Sequence, residues 1–254
     1  MPKINPDRLL GDLYRLREFG AYKTGVHRPT YAPDDIASRH WLAARMAEAG
    51  LDASIDGIGN VIGRAPGPGP KLLIGSHSET QPYAGWLDGA LGVIYGLEVA
   101  RALSEDPACA GLGVDVAAWA DEEGHYKSFI GSRSFIGDLT EDEIDGIANQ
   151  HDGTPLRTAL AAAGEKDKPR IQVEPGRHIG FMEAHIEQGD SLEARGLKLG
   201  VVASIVAIWQ FRITATGIQN HAGTTRMAIR KDAGLALARL AVAIDERFPA
   251  VKAP

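Results

Sequence analysis

The chain has 254 residues, enough to bury a full core as one large or two small domains. Apolar residues make up 44% and charged residues 24%, as in a soluble globular protein; the net charge of -6 and the lack of any basic run exclude a nucleic-acid or anionic-membrane surface. Cys109 is the single cysteine, which excludes an intrachain disulfide; with no apolar signal core and no run of transmembrane length, a cytoplasmic protein is expected.

Asn5-Pro6 reads as a helix cap with proline at the first helical position, and Leu9, Leu10, Leu13, Leu16 and Phe19 recur at helical spacing. Residues 20–33 read as loop, with Gly25, Pro29 and Pro33 as breakers. A second helix is predicted over 34–49, marked by Ile36, Trp41, Leu42 and Met46 and stopped by Gly50. Short strands at 53–55 and 60–63 flank Gly57-Ile58-Gly59, which lacks the third glycine of a dinucleotide loop and reads as a tight turn. Pro66-Gly67-Pro68-Gly69-Pro70 is a rigid connector within the domain, and the strand 71–75 starts directly after it. The pattern over 89–103 is helical, with Gly92 and Gly96 suggesting close packing on a sheet. The apolar strand 114–120 delivers Asp121-Glu122-Glu123. Residues 137–153 are acidic and turn-rich, most simply a solvated face, and Thr154-Pro155 caps a short helix over 156–163. A further strand spans 179–184. From Val202 the character changes: 210–216 alternates like a half-exposed strand, and a long helix is predicted over 228–247. This alternation of apolar strand and helix implies an α/β fold with a mostly parallel, mixed sheet flanked by helices.

The chemistry-bearing residues gather where apolar strands meet glycine, the place where open α/β sheets put their sites. His77 ends one strand, and alone it would read as a structural histidine. Glu79, two residues on, shares a strand face with it, so its carboxylate is expected to accept the second ring proton. Asp88 reads equally as a ligand or as the cap of the next helix. The adjacent carboxylates Glu122 and Glu123 repel unless a cation or a proton intervenes; one suits a metal and the other a general base, although an acidic turn would look the same in isolation. His185 lies between Glu183 and Glu187. Imidazoles and carboxylates together point to a borderline divalent cation. Asn220-His221-Ala222-Gly223-Thr224-Thr225 reads as an oxyanion or carboxylate clamp, or as a helix entry.

With these residues the chain resembles the zinc-dependent amidohydrolases of the N-carbamoyl-L-amino-acid hydrolase and allantoate amidohydrolase group, within the clan of aminoacylases and di-zinc carboxypeptidases. The matching segments are Gly75-Ser76-His77, Asp88 to Val93, Asp121 to Gly124, Gly131-Ser132-Arg133, His185 to Gly189 and Asn220 to Thr225, in that order. The resemblance implies a di-zinc exopeptidase-like catalytic domain over 1–206 and the start of a small α+β dimerisation (lid) domain over 207–254. It implies two divalent ions, zinc first and manganese, cobalt or nickel as alternatives. His77 would bind one, Asp88 would bridge both, and Glu123 and His185 would bind one each. Glu122 would be the general base. His221 would reach a neighbouring subunit's site in a homodimer, and Gln188 and Asn220 would touch a small carboxylate substrate. The implied reaction is hydrolysis of a linear carbamoyl or ureido C–N bond, with an N-acyl-amino-acid or dipeptide substrate as the alternative.

The chain departs from that pattern at His77-Ser78-Glu79, where His-X-Asp is usual, at His125 to Ile130 after the glutamate pair, and at Arg226, where proline is usual. The resemblance also places a further metal-binding histidine beyond Pro254. The chain is accordingly expected to be a fragment or to be completed by a separate C-terminal polypeptide. A non-catalytic dimerisation or regulatory fragment is the rival from another class. A nucleotide-dependent oxidoreductase is disfavoured by the missing glycine-rich loop.

Overall fold

Asn5 starts the first helix as its sequence predicts. In the computed structural model, which describes residues 1–248, its side chain accepts the Arg8 N–H at 3.1 Å and Pro6 opens α1 (Pro6–Glu18). A two-residue ribbon, β1 (Ala21–Tyr22) and β2 (Gly25–Val26), follows where the sequence suggested only loop. Helix α2 (Pro33–Glu48) then precedes the antiparallel pair β3 (Asp52–Ile55) and β4 (Val61–Arg64). The turn between them is organised by Asp56, whose carboxylate accepts the Ile58 and Asn60 N–H groups, so Gly57 and Gly59 serve a turn and not a nucleotide.

Strand β5 (Lys71–His77) leads to helix α3 (Ala90–Glu105), and β6 (Val114–Trp119) follows. Short helices α4 (Ile130–Phe135), α5 (Glu141–Gly146) and α6 (Leu156–Ala162) come next, then β7 (His178–Met182) and α7 (Ser191–Ala194). The acidic stretch expected to be solvated turn thus holds α5, whose start is fixed by Thr140 accepting the Glu143 N–H.

The five-stranded sheet has the order β3-β4-β6-β5-β7 and is mixed: β5 is parallel to both β6 and β7, while β4 is antiparallel to β3 and β6. Period-two alternation divides its residues between two faces. Ile74, Val116 and Ala118 pack with Leu13 and Leu16 of α1, Leu42 and Met46 of α2, and Val93, Ile94 and Leu97 of α3. Leu73, Ala117 and Trp119 pack on the opposite face with Phe135. Each fully buried Leu or Ile here contributes roughly 1.5–3 kcal/mol. Helix α3 lies close because of its glycines: a Cβ on Gly96 would meet Ile74 and Val116 side-chain carbons at 3.1 and 3.2 Å.

A buried cation ties α1 to the loop after β5. Arg28 donates from Nε to Ser78 O and from Nη1 to Leu16 O and Phe19 O, each at 2.8 Å. Burial pushes its pKa down to about 10.

The chain divides into two units, Met1–Ala194 and Arg195–Pro254. The second holds a short 3-10 turn (Met227–Ile229) and helix α8 (Ala233–Arg247), capped by Asp232 at the Leu235 N–H. The predicted strand at 210–216 does not form. A strand needs a ladder partner, and none pairs with it among the described residues. No helix among the described residues is long and apolar enough to cross a membrane.

Candidate metal centre

Three parallel strands end on one edge of the sheet. There β5 delivers His77, β6 runs on through Ala120 to Asp121-Glu122-Glu123, and β7 leads to Glu183 and His185. Ser76 Oγ donates to Glu183 Oε1 at 2.5 Å, fastening the end of β7 to β5.

His77 Nδ1 lies 3.0 Å from Glu79 O, and His185 Nδ1 lies 2.8 Å from Ile186 O. A carbonyl only accepts, so each Nδ1 carries the proton and each Nε2 presents a lone pair. Both lone pairs face Asp88 Oδ1, at 3.9 Å from His77 and 3.0 Å from His185. That oxygen is buried and has no hydrogen-bond partner. Two ring nitrogens and a carboxylate oxygen, all within 4.8 Å of one another, therefore converge, with no N–H between them when the rings are neutral. A divalent cation satisfies all three, and the donor set suits zinc and its neighbours. Among the described residues no other group of His, Cys, Asp or Glu gathers in this way. Burial opposes a charged His77, yet the carboxylates of Glu79, Glu122 and Glu123 outweigh it and push the imidazole pKa up. The surroundings favour positive charge at this point.

The turn after β6 is held in an unusual backbone form. Asp121 has φ 54°, a left-handed conformation that costs a non-glycine residue about 1 kcal/mol. Its buried carboxylate fixes it by accepting from Thr30 Oγ1 at 2.8 Å and from the N–H groups of His125, Tyr126 and Lys127 at 2.7, 2.9 and 2.9 Å. Glu122 Oε2 is thereby set 3.5 Å from His77 Nε2. Burial raises the Glu122 pKa, His77 lowers it, and Glu123 and Glu79 raise it again; the net direction is up. A carboxyl group whose pKa is raised is better suited to take a proton and return it.

Glu79 is close to His77 but not bonded as expected. Its carboxylate is 3.9 Å from the ring, and the residue serves His77 through its backbone carbonyl instead. The longer glutamate chain carries the carboxylate past the imidazole, where Oε1 accepts the Glu122 N–H at 2.6 Å and Oε2 accepts from Arg39 Nη2 at 3.1 Å. Glu123 stands outside the three-ligand cluster: Gln81 Nε2 donates to its carboxylate at 3.0 Å and to its carbonyl at 2.9 Å. Gln188, at φ 56°, donates from Nε2 to Asp88 Oδ2 at 2.7 Å. Asn220 and His221 lie in the second unit. There His221 Nδ1 accepts the Gly223 and Thr224 N–H groups at 3.0 and 3.1 Å, which leaves the ring proton on Nε2.

Sequence reasoning missed four contributors. Asp121 stands in the sequence only as the first residue of its motif. Gln81 carried no signal beyond ordinary loop composition, and Gly89 stands in the matching segment Asp88 to Val93 with no role of its own. Arg39 did carry one, since Asp35 and Arg39 fall on the same helical stripe as Leu42 and Met46, and charges on an apolar stripe need buried partners.

Residues 60–168 match Peptidase family M28. An N-carbamoyl-L-amino-acid amidohydrolase of Paenarthrobacter aurescens is 35% identical over 98% of the chain and 61% of its own length. An allantoate amidohydrolase of Escherichia coli (strain K12) is 34% identical over 89% of the chain and 56% of its own length. The crystal structure of an amidase of the hydantoinase/carbamoylase family from Burkholderia phymatum superposes with a TM-score of 0.81 at 47% identity, covering 100% of the chain and 62% of that protein. In sequence and in fold, the chain is a homologue of the N-carbamoyl-L-amino-acid and allantoate amidohydrolases, spanning about three-fifths of the length of the relatives it matches.

Proposed function

We propose that this chain carries the water-activating part of a metal-dependent amidohydrolase that cleaves a linear carbamoyl or ureido C–N bond in a small carboxylate. The observation that carries the reading is the convergence of His77 Nε2 and His185 Nε2 on the unpartnered Asp88 Oδ1 beside Glu122. The relatives' N-carbamoyl-amino-acid and allantoate activities supply the substrate class. His77, Asp88 and His185 would hold the first ion, and Asp88 with Glu123 would contribute to a second. A bound divalent ion supplies Lewis-acid polarisation and lowers the pKa of water. Glu122 takes the proton of the attacking water and passes it to the leaving nitrogen as the C–N bond breaks. His221, with its proton on Nε2, is suited to donate to the carbonyl oxygen as charge develops there, from a partner subunit if the protein dimerises through residues 207–254. Gln188 and Asn220 are proposed substrate contacts.

The test is zinc titration of the chelated protein, followed by assay of ammonia release from N-carbamoyl-L-amino acids and allantoate. Chelator-sensitive release supports the reading. Zinc bound without release favours a non-catalytic fragment, and absence of zinc binding removes the metal centre itself.

A further inference from the structure

A buried chain of charges runs from α2 to the backbone of Glu122. Asp35, fully buried, accepts from Arg39 Nε at 2.9 Å and from the Tyr31 N–H at 2.8 Å on the same oxygen. Arg39, with its side chain 3% exposed, spends its other two nitrogens on Gly59 O at 2.6 Å and Glu79 Oε2 at 3.1 Å. Glu79 then accepts the Glu122 N–H through Oε1 at 2.6 Å. A guanidinium is a rigid planar fork, so three acceptors on one Arg39 fix one another's positions.

The end point of this chain is informative. It lies outside the strand ladders, and the β5–β6 ladder is complete without it. The chain of charges closes on the single peptide that joins left-handed Asp121 to Glu122. That peptide sets the direction in which the Glu122 side chain leaves the turn toward His77. The extra methylene of Glu79 is what lets its carboxylate bypass the imidazole and reach this N–H.

We propose that Arg39 and Glu79 are positioning residues that aim the Glu122 carboxylate at the metal centre through the Glu122 N–H, and not through the His77 ring. The proposal rests on the reading of Glu122 as general base, but its test does not depend on turnover.

The experiment is amide-resolved hydrogen exchange on the zinc-loaded and the chelated protein, comparing wild type with Arg39→Lys and Glu79→Gln. Lysine keeps the charge and loses the fork; glutamine keeps the length and loses the charge. Exchange at the Glu122 amide is expected to quicken by about tenfold in both variants, the loss of roughly one strong hydrogen bond. The ladder amides of Val116 and Ile74 should stay within about twofold. Zinc affinity should hold within about threefold in Arg39→Lys, and Glu79→Gln, which removes a carboxylate beside His77, should lower it by less than about tenfold. An unchanged Glu122 amide overturns the proposal. So does an increase shared equally with Val116 and Ile74, which would mark general loosening, or a loss of zinc affinity larger than the change at Glu122. If Arg39→Lys does not fold, Glu79→Gln carries the test. With N-carbamoyl-L-amino acid as probe, kcat should fall while KM is kept; absence of turnover in wild type would count against the amidohydrolase reading and leave the exchange result standing.

Discussion

Gly89 and His77 share one space: a Cβ on Gly89 would fall onto the His77 imidazole at Cδ2 and Nε2, the side that faces Asp88. Gly89 also has φ 63°, where a side chain is strained. The glycine after Asp88 is therefore a condition for the His77 nitrogen that faces Asp88 to be where it is. Gly89→Ala should lower zinc affinity by about 10–100-fold, the usual scale for disturbing the support of a ligand, with a near-native circular dichroism spectrum. Titration after chelation measures it.

Glu122→Gln should leave zinc affinity nearly unchanged and reduce turnover by about 10²–10⁴-fold, the range of general base catalysis. Paired titration and ammonia assays check this. Near-normal turnover would remove Glu122 from the proton-carrying role.

Zinc titration should resolve one tight ion before any second. His77, Asp88 and His185 already converge, whereas Glu123 and the second oxygen of Asp88 are engaged by the amides of Gln81 and Gln188. Gln81→Ala should strengthen the second ion by about 2–10-fold, the worth of one hydrogen bond, and leave the first unchanged. Calorimetry with metal in excess distinguishes the two steps.

Asp115, far from the metal centre on β6, gives a pH signature of its own. Its side chain is 1% exposed and accepts from Arg177 Nε and Nη2 at 2.7 and 3.0 Å and from the Ala65 N–H at 2.8 Å, with His178 Nε2 at 2.9 Å. Burial would raise its pKa, but Arg177, the Ala65 N–H and His178 outweigh burial and hold it below the ordinary carboxylate range. Because the folded value is the lower one, its stabilisation is complete above about pH 4 and fades as pH falls through that lower value. Asp115→Asn should cost about 3–5 kcal/mol at pH 7, with a shrinking difference from wild type as the pH is lowered below 4. Denaturant melts across pH measure both.

The sheet was readable because its strands are short apolar runs bounded by glycine, and α1 because Asn5-Pro6 announces it. His77, Glu122 and His185 were readable as residues at or just after strand ends that meet only if the strands run parallel, which β5, β6 and β7 do, and Asp88 joins them from the turn before α3. What escaped was side-chain reach. Whether a carboxylate two residues from a histidine binds its ring or passes it depends on one methylene and on a partner forty residues upstream, Arg39. Residues 210–216 failed for a different reason, since alternation marks a face but cannot supply the neighbour a strand needs.

Of the three strands that lead to the candidate metal site, β7 has a hydrogen-bonded neighbour on one side only, among the described residues. His185 lies three residues past its end, while His77 ends β5, which is paired on both sides. An ion held by both imidazoles is then a clasp between an inner strand and a rim strand. Loading it and seating the rim become a single equilibrium, so the metal content of a preparation would also report how fully that margin of the sheet is closed.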